Sequence, residues 1–201
     1  MAGKRALAVV DVQNDFCPGG SLGVPEGDRV VPVLNQYARR FHEEGSPVIA
    51  TRDWHPPKTR HFQEGGGPWP PHCVQGTPGA AFHPDLRLPP GTTVLSKGMD
   101  PNEDSYSAFD ARTDAGESLA ELLRRLGVEE LYVGGLATDY CVRATALDAL
   151  AQGFRVTVLT DAVRGVDVTP GDSERALREV VEAGARTATL ETVFPAHAGG
   201  R

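Results

Sequence analysis

Cysteine is scarce in this 201-residue chain, with three in all: Cys17, Cys73 and Cys141. So odd and sparse a set does not make a disulfide framework; it suits free thiols in a reducing compartment. No run approaches the ~18–20 consecutive apolar residues that cross a bilayer, and the N-terminus passes into a short apolar segment without a cleavage-type pattern. The expected location is therefore cytoplasmic, with no membrane partner. Basic clusters are also missing. Lys and Arg number 20 against 27 Asp and Glu, a formal net charge of −7, so the electrostatic footprint of a nucleic-acid binder is absent and a small-molecule partner is expected. Gly and Pro, at 23 and 16 residues, stay below the fraction that marks low complexity. No repeat or linker divides the chain, so residues 1–201 are read as a single domain, and homo-oligomerisation stays open.

What the chain does contain is a recurrence of short aliphatic runs, at residues 6–10, 48–51, 93–95, 131–133, 155–159 and 187–190. They are nearly continuous rather than alternating, as expected of strands covered on both faces. Helical patterns lie between several of them, over about 28–44, 117–126, 139–151 and 172–183, each followed by a glycine: Gly45, Gly127, Gly153 and Gly184. Pro32 is tolerable in the first because it falls in the opening turn. This alternation predicts an α/β three-layer sandwich, a six-stranded, mostly parallel sheet with helices on both sides and a Rossmann-like topology. Residues 54–91 break the pattern, being rich in Pro, Gly, His and Trp without a helix or strand period. A loop of that length inside a compact domain is usually functional.

In an open parallel sheet, ligands bind beyond the carboxyl ends of the strands. Asp11 ends the first strand, Asp53 the second and Lys97 the third, and the fourth turns through residues 134–139 into a helix that begins near Cys141. A thiol in the first turn of a helix faces unpaired N–H groups and the positive end of the macrodipole, which favour a thiolate. An isolated cysteine is more often a small buried hydrophobe, but an acid and a lysine at neighbouring strand ends change that reading. Asp11 can accept the thiol proton and Lys97 can stabilise the anions on either side. A second constellation joins Asp53 and His55 with His61 and His72. Four of the six histidines fall between His55 and His83, and imidazoles with one carboxylate suit Zn, Fe or Mn. A polar His/Pro loop without metal is the plain alternative. Cys73, beside His72, is a minor ligand candidate, whereas Cys17, His42 and His83 read as ordinary. Among the loop aromatics, Trp54 reads as loop packing, and Phe16 and Trp69 are placed to line a flat apolar slot.

These residues sit in a recognisable order: Val10-Asp11-Val12-Gln13-Asn14-Asp15-Phe16, Gly19-Gly20-Ser21-Leu22, Thr51-Arg52-Asp53-Trp54-His55 with His61-Phe62, Trp69-Pro70-Pro71-His72-Cys73, Ser96-Lys97-Gly98, and Gly134-Gly135-Leu136-Ala137-Thr138-Asp139-Tyr140-Cys141-Val142. In that order, from Ala6 to Leu190, the sequence resembles the nicotinamidase branch of the isochorismatase-like cysteine hydrolases. The resemblance implies that Asp11, Lys97 and Cys141 form the catalytic set. It also implies one divalent metal, zinc before iron or manganese, held by Asp53, His55, His61 and His72 in the loop spanning about 53–91. A cis Leu136-Ala137 peptide would turn the N–H of Ala137 toward the substrate beside that of Cys141. Phe16, Leu22, Trp69, Tyr106, Leu136 and Tyr140 would border a small carboxamide, nicotinamide first and pyrazinamide-like amides with it. Tyr140 stands where close relatives often carry His, and residues 99–105 are individual to this chain. The rival readings are a related amidohydrolase acting on another carboxamide or N-carbamoyl substrate, and a non-enzymatic metal-binding domain that senses a ligand.

Overall fold

The computed structural model describes residues 3–195. Six strands, β1 Lys4–Val10, β2 Val48–Asp53, β3 Thr93–Lys97, β4 Val128–Leu136, β5 Arg155–Arg164 and β6 Arg186–Ala188, form one sheet in the order β3-β2-β1-β4-β5-β6, and every neighbouring pair is parallel. Because successive strand side chains point to opposite faces, β1 feeds two cores. Ala6, Ala8 and Val10 pack with α2 Leu119–Arg125, α3 Arg143–Ala151 and α4 Asp172–Glu182, while Leu7 and Val9 pack with α1 Val30–Glu43 and α5 Leu190–Val193. The α/β three-layer sandwich expected from the sequence is thus the observed architecture. Among the described residues, no helix is long and apolar enough to cross a membrane.

Helix α1 buries Val30, Val31, Leu34, Tyr37, Ala38 and Phe41 at the three- and four-residue spacing of one helical face. Helix α2 begins at Leu119, two residues later than the pattern suggested, because Ser118 and Glu121 close a capping box around its first turn. The last apolar run also divides differently. Strand β6 stops at Ala188, and the Thr189 N–H donates to Thr192 Oγ1 at 2.8 Å while the Thr192 N–H donates to the Thr189 carbonyl at 3.0 Å, so Leu190 opens a helical turn instead of ending a strand. Residues 54–91 hold neither strand nor α-helix, only single turns at Gln63–Gly65 and Pro78–Ala80 and isolated bridges such as His55 with Val74.

The sheet order reverses between β1 and β4, and there the crevice for a ligand opens. Val10 and Gly135 pair at the carboxyl ends of these two strands, and the glycine there admits no side chain. Gly135 adopts φ +124°, and a Cβ on it would lie 2.1 Å from the Val10 carbonyl oxygen, which is main chain and cannot step aside. Gly135→Ala is therefore expected to destabilise the fold by about 3 kcal/mol or more, a drop of roughly 6–12 °C in Tm for a chain of this size, read by thermal melting.

Candidate active site

Beyond the carboxyl ends of the strands, the groups delivered by β1, β2, β3 and the turn after β4 meet in one place. Lys97 is fully buried, its Nζ 2.8 Å from Asp11 Oδ2 and 3.5 Å from Cys141 Sγ, and it also donates to Asp53 Oδ1. Strand register accounts for the pairing of the last two, since Lys97 lies opposite Asp53 in the β2–β3 ladder. The orientation of each carboxylate is fixed by a neighbour. Thr51 donates its hydroxyl hydrogen to Asp11 Oδ1 at 2.8 Å. Gln13 clasps the main chain of Asp53, accepting from its N–H at 2.8 Å and donating to its carbonyl at 2.8 Å, with a further bond to the Ala80 carbonyl at 2.9 Å.

Cys141 does not sit in a regular α-helical turn. The Ala137 carbonyl accepts from the N–H groups of both Tyr140 and Val142, each at 3.1 Å, so residues Thr138–Val142 form one wide π turn, and α3 becomes regular only at Arg143. Turns of this kind are frequent at functional sites. The Leu136-Ala137 peptide is cis. Past β1 and β2 the sheet ladder runs on by one bond, from Asp11 N–H to the Thr51 carbonyl at 3.1 Å and from Trp54 N–H to the Lys97 carbonyl at 2.8 Å. Past β4 it stops, and the Ala137 N–H finds no backbone acceptor among the described residues.

Burial dominates the environment of the thiol. Burial pushes the Cys141 thiol well above the usual range, Lys97 pulls against this, and the carboxylates of Asp11 and Asp53 add to the upward push. The two acids are driven apart. Burial raises Asp11, with Lys97 opposing and Asp53 reinforcing the rise. Burial would raise Asp53 too, but Lys97 and then the imidazoles of His55 and His72 outweigh it and hold the carboxyl well below its ordinary value. Lys97 stays an ammonium because its two carboxylate neighbours outweigh its desolvation. Two acids with divergent environments take different tasks: Asp53 remains an anion, while Asp11, which shares the Lys97 ammonium with the sulfur, is the group suited to exchange a proton with it.

The second constellation also assembles. His55, His61 and His72 are buried, and one donor atom from each lies within 4.8 Å of the others. All three direct Nδ1 outward to an acceptor: the Gly98 carbonyl at 3.0 Å, Asp104 Oδ1 at 2.9 Å and the Pro70 carbonyl at 2.8 Å, respectively. With Nδ1 carrying the proton, Nε2 of each ring is left as a lone-pair donor facing inward. Nε2 of His55 is buried without a hydrogen-bond partner among the described residues, which suits a metal-ligand atom. Asp53 Oδ2 stands 3.4 Å from His55 Nε2 and 3.8 Å from His72 Nε2. Three imidazoles and a carboxylate therefore fit a divalent metal.

A narrow cavity adjoins both constellations. Phe16, Leu22, Trp69, Tyr106, Ala137 and Tyr140 line it together with Cys141, Asp53, His61 and His72. Trp69 meets Tyr140 edge-on at 5.0 Å between centroids and donates its indole N–H to the Tyr106 hydroxyl at 3.0 Å, so the three aromatics form one wall. Leu136 does not join them. Its side chain is fully buried on the α1 side, beside Gly27, and the cavity wall at this strand end is Ala137. Trp54 lies outside the cavity under the Arg52 guanidinium, 3.9 Å from its ring centroid. The Cys73 thiol is buried and is not one of the clustered donor atoms. Val24 and Val166 complete the lining and carry no motif in the sequence.

The family described as Isochorismatase domain matches residues 5–192 of the chain. The chain belongs to the isochorismatase family. Among curated relatives, the nicotinamidase of Escherichia coli K12 is 46% identical, over 92% of this chain and 95% of its own length. The nicotinamidase/pyrazinamidase of Mycobacterium tuberculosis H37Rv is 42% identical, over 94% and 98%. Among solved structures, a pyrazinamidase of Pyrococcus horikoshii in complex with zinc superposes with a TM-score of 0.86 at 50% identity, covering 93% of this chain and 99% of that one.

In this isochorismatase-family site, Lys97 is the one group that pulls the Cys141 thiol down. Lys97→Met is expected to slow alkylation of Cys141 by iodoacetamide at pH 8 about tenfold or more. The rate is followed by intact mass, with folding checked by thermal melting.

Proposed function

We propose that the chain is a nicotinamidase, an amidohydrolase that converts nicotinamide, and pyrazinamide with it, to the carboxylic acid and ammonia. The observation that carries this reading is the contact of one buried ammonium, Lys97, with both Asp11 and Cys141 Sγ at the wall of an aromatic-lined cavity that the histidine cluster also borders. The similarity to curated nicotinamidases over nearly the whole chain supports it.

In this reading, the aromatic ring of the substrate enters between Phe16 and Trp69, and its amide carbon comes to rest against Cys141. Asp11 takes the thiol proton, and the sulfur attacks the carbonyl carbon. The burial that holds the thiol protonated at rest confines the anion to the moment of attack, when Lys97 is already in place to stabilise it. The N–H of Ala137, free of the sheet ladder, and that of Cys141 donate to the oxyanion; one such donor is worth ~3 kcal/mol of barrier. Asp11 returns the proton to the departing nitrogen, ammonia leaves, and a thioester remains on Cys141. A water molecule, deprotonated by Asp11, then cleaves the thioester, and the thiol is restored with the acid as product. Asp53, His55, His61 and His72 would hold a divalent ion, which we assign as zinc because the similar Pyrococcus horikoshii pyrazinamidase was solved in complex with zinc and the donor set accepts it; when bound, it would supply a positive centre that polarises the substrate's ring end. Three free buried thiols are in keeping with a cytoplasmic protein acting as one hydrolase domain.

Cys141→Ala is expected to reduce ammonia release from nicotinamide by about 10³-fold or more while substrate binding and metal content stay near those of the parent. Faster ammonia release by the parent from an N-carbamoyl compound than from nicotinamide or pyrazinamide would overturn the substrate assignment. Chelation is expected to raise KM for nicotinamide and to leave iodoacetamide labelling of Cys141 in place, because the sulfur and not the metal is the nucleophile. Unchanged hydrolysis by the metal-free protein would remove the ring-anchoring role.

A further inference from the structure

The three imidazoles of the cluster are not held alike. His55 is locked against main chain: its Nδ1 meets the carbonyl of buried Gly98 at 3.0 Å. Gly98 adopts φ +69°, and a Cβ there would lie 2.4 Å from the imidazole, so ring and backbone touch with no space between them. The segment bearing His55 is pinned again by its N–H to the Cys73 carbonyl at 3.0 Å and by Gln75 N–H to its own carbonyl at 2.9 Å. His72 likewise bonds a main-chain carbonyl, that of Pro70, at 2.8 Å.

His61 has a different support. Its Nδ1 meets a side chain, Asp104 Oδ1, at 2.9 Å, and that side chain is 48% exposed. The backbone beside His61 leans on the same stretch. Arg60 N–H donates to the Pro101 carbonyl at 2.9 Å, the Thr59 hydroxyl reaches that carbonyl at 3.3 Å, and the Arg60 guanidinium donates to the Asn102 carbonyl at 3.1 Å. Residues 99–104 are exposed throughout. Two of the three nitrogen donors are thus fixed to main-chain carbonyls, and the third hangs from an exposed loop by a carboxylate in contact with water.

We propose that Asp104 is a positioning residue for the metal centre: it holds His61 in the orientation that closes the site, and His61 is the ligand that yields first when the ion departs. Segments with few buried contacts open at lower free energy than those tied into the sheet, so the 99–104 loop sets the easiest route by which one donor is lost. A carboxylate on the outer nitrogen also makes the imidazole a stronger donor than a carbonyl partner does, so the same hydrogen bond serves retention of the ion and orientation of the ring. The proposal rests on the metal-site part of the functional reading and is independent of which amide is the substrate.

The test is the release of Zn²⁺ from the loaded full-length protein into an excess of a colorimetric chelator, with no activity measurement. Asp104→Ala is expected to release the ion about 10–100-fold faster than the parent. Asp104→Asn, whose amide oxygen still accepts from Nδ1–H, is expected to restore most of the retention. Glu103→Ala, on the same exposed stretch but touching no ligand, is expected to stay within about two-fold of the parent, as for an ordinary surface charge. With Co²⁺ as the probe, the visible spectrum is expected to change in Asp104→Ala and not in Glu103→Ala. Equal release from parent and Asp104→Ala overturns the proposal, as does equal acceleration by Glu103→Ala, which would mark a general loosening of the loop. Asp104→Ser, too short to reach Nδ1, gives the same reading should the alanine variant fail to fold. A parent protein that takes up neither ion would overturn the metal-site reading itself, an outcome separate from equal rates.

Discussion

The site depends on one buried ammonium. Lys97 has no exposed surface, and a lone charge at that depth would cost several kcal/mol of lost hydration. It is stable there because Asp11 and Asp53 converge on it from two neighbouring strands. The dependence is mutual, since the two carboxylates would otherwise face each other without a counter-charge. Much of the surrounding construction serves this contact: Thr51 holds the Asp11 carboxylate and Gln13 the Asp53 main chain, the β2–β3 register brings Asp53 opposite Lys97, and the pairing of Val10 with Gly135 places the nucleophile turn beside Asp11.

Asp53 connects this triad to the histidine cluster. One oxygen accepts from Lys97 and the other faces His55 and His72, so a single carboxylate borders both the thiol chemistry and the ion site. A bound cation and the Lys97 ammonium would then share the negative charge of Asp53, leaving Asp11 as the only carboxylate free to receive a proton. The division of labour between the two acids follows from this arrangement and not from any intrinsic difference between aspartates.

The fold was largely legible because continuous apolar runs alternating with helical stripes admit few architectures besides a covered parallel sheet. The strand-end rule then brought Asp11, Asp53, Lys97 and Cys141 to one crevice without knowledge of any contact. What escaped the sequence was set by tertiary packing. The thiol environment was misjudged because a helix start and a lysine speak for an anion, whereas the depth of burial and the pair of carboxylates at the sulfur become visible only in three dimensions. Leu136 was placed in the pocket from its position beside Ala137, but its side chain packs beside Gly27 in the α1-side core, and Ala137 is the residue that reaches the cavity. Gln13 and Thr51 lay inside motifs, yet their roles come from side-chain bonds to residues 40 positions distant or to the strand alongside. Asp104 sits in a stretch with no pattern at all, and nothing short of the folded loop could join it to His61.

Lys97 comes from β3, the rim of the sheet, where an unprotected strand can slide in register or recruit another chain. A slip of one residue would send Lys97 away from Asp11 and bring the bare backbone of Gly98 in its place. The outer side of β3 is closed against this by Arg112, which exchanges two main-chain hydrogen bonds with Ser96, at 2.8 and 2.9 Å, while Ser96 Oγ accepts from Arg52 at 2.9 Å. A residue remote from the chemistry thus works as a latch on the strand that carries it, and the same closure blocks strand addition at that rim.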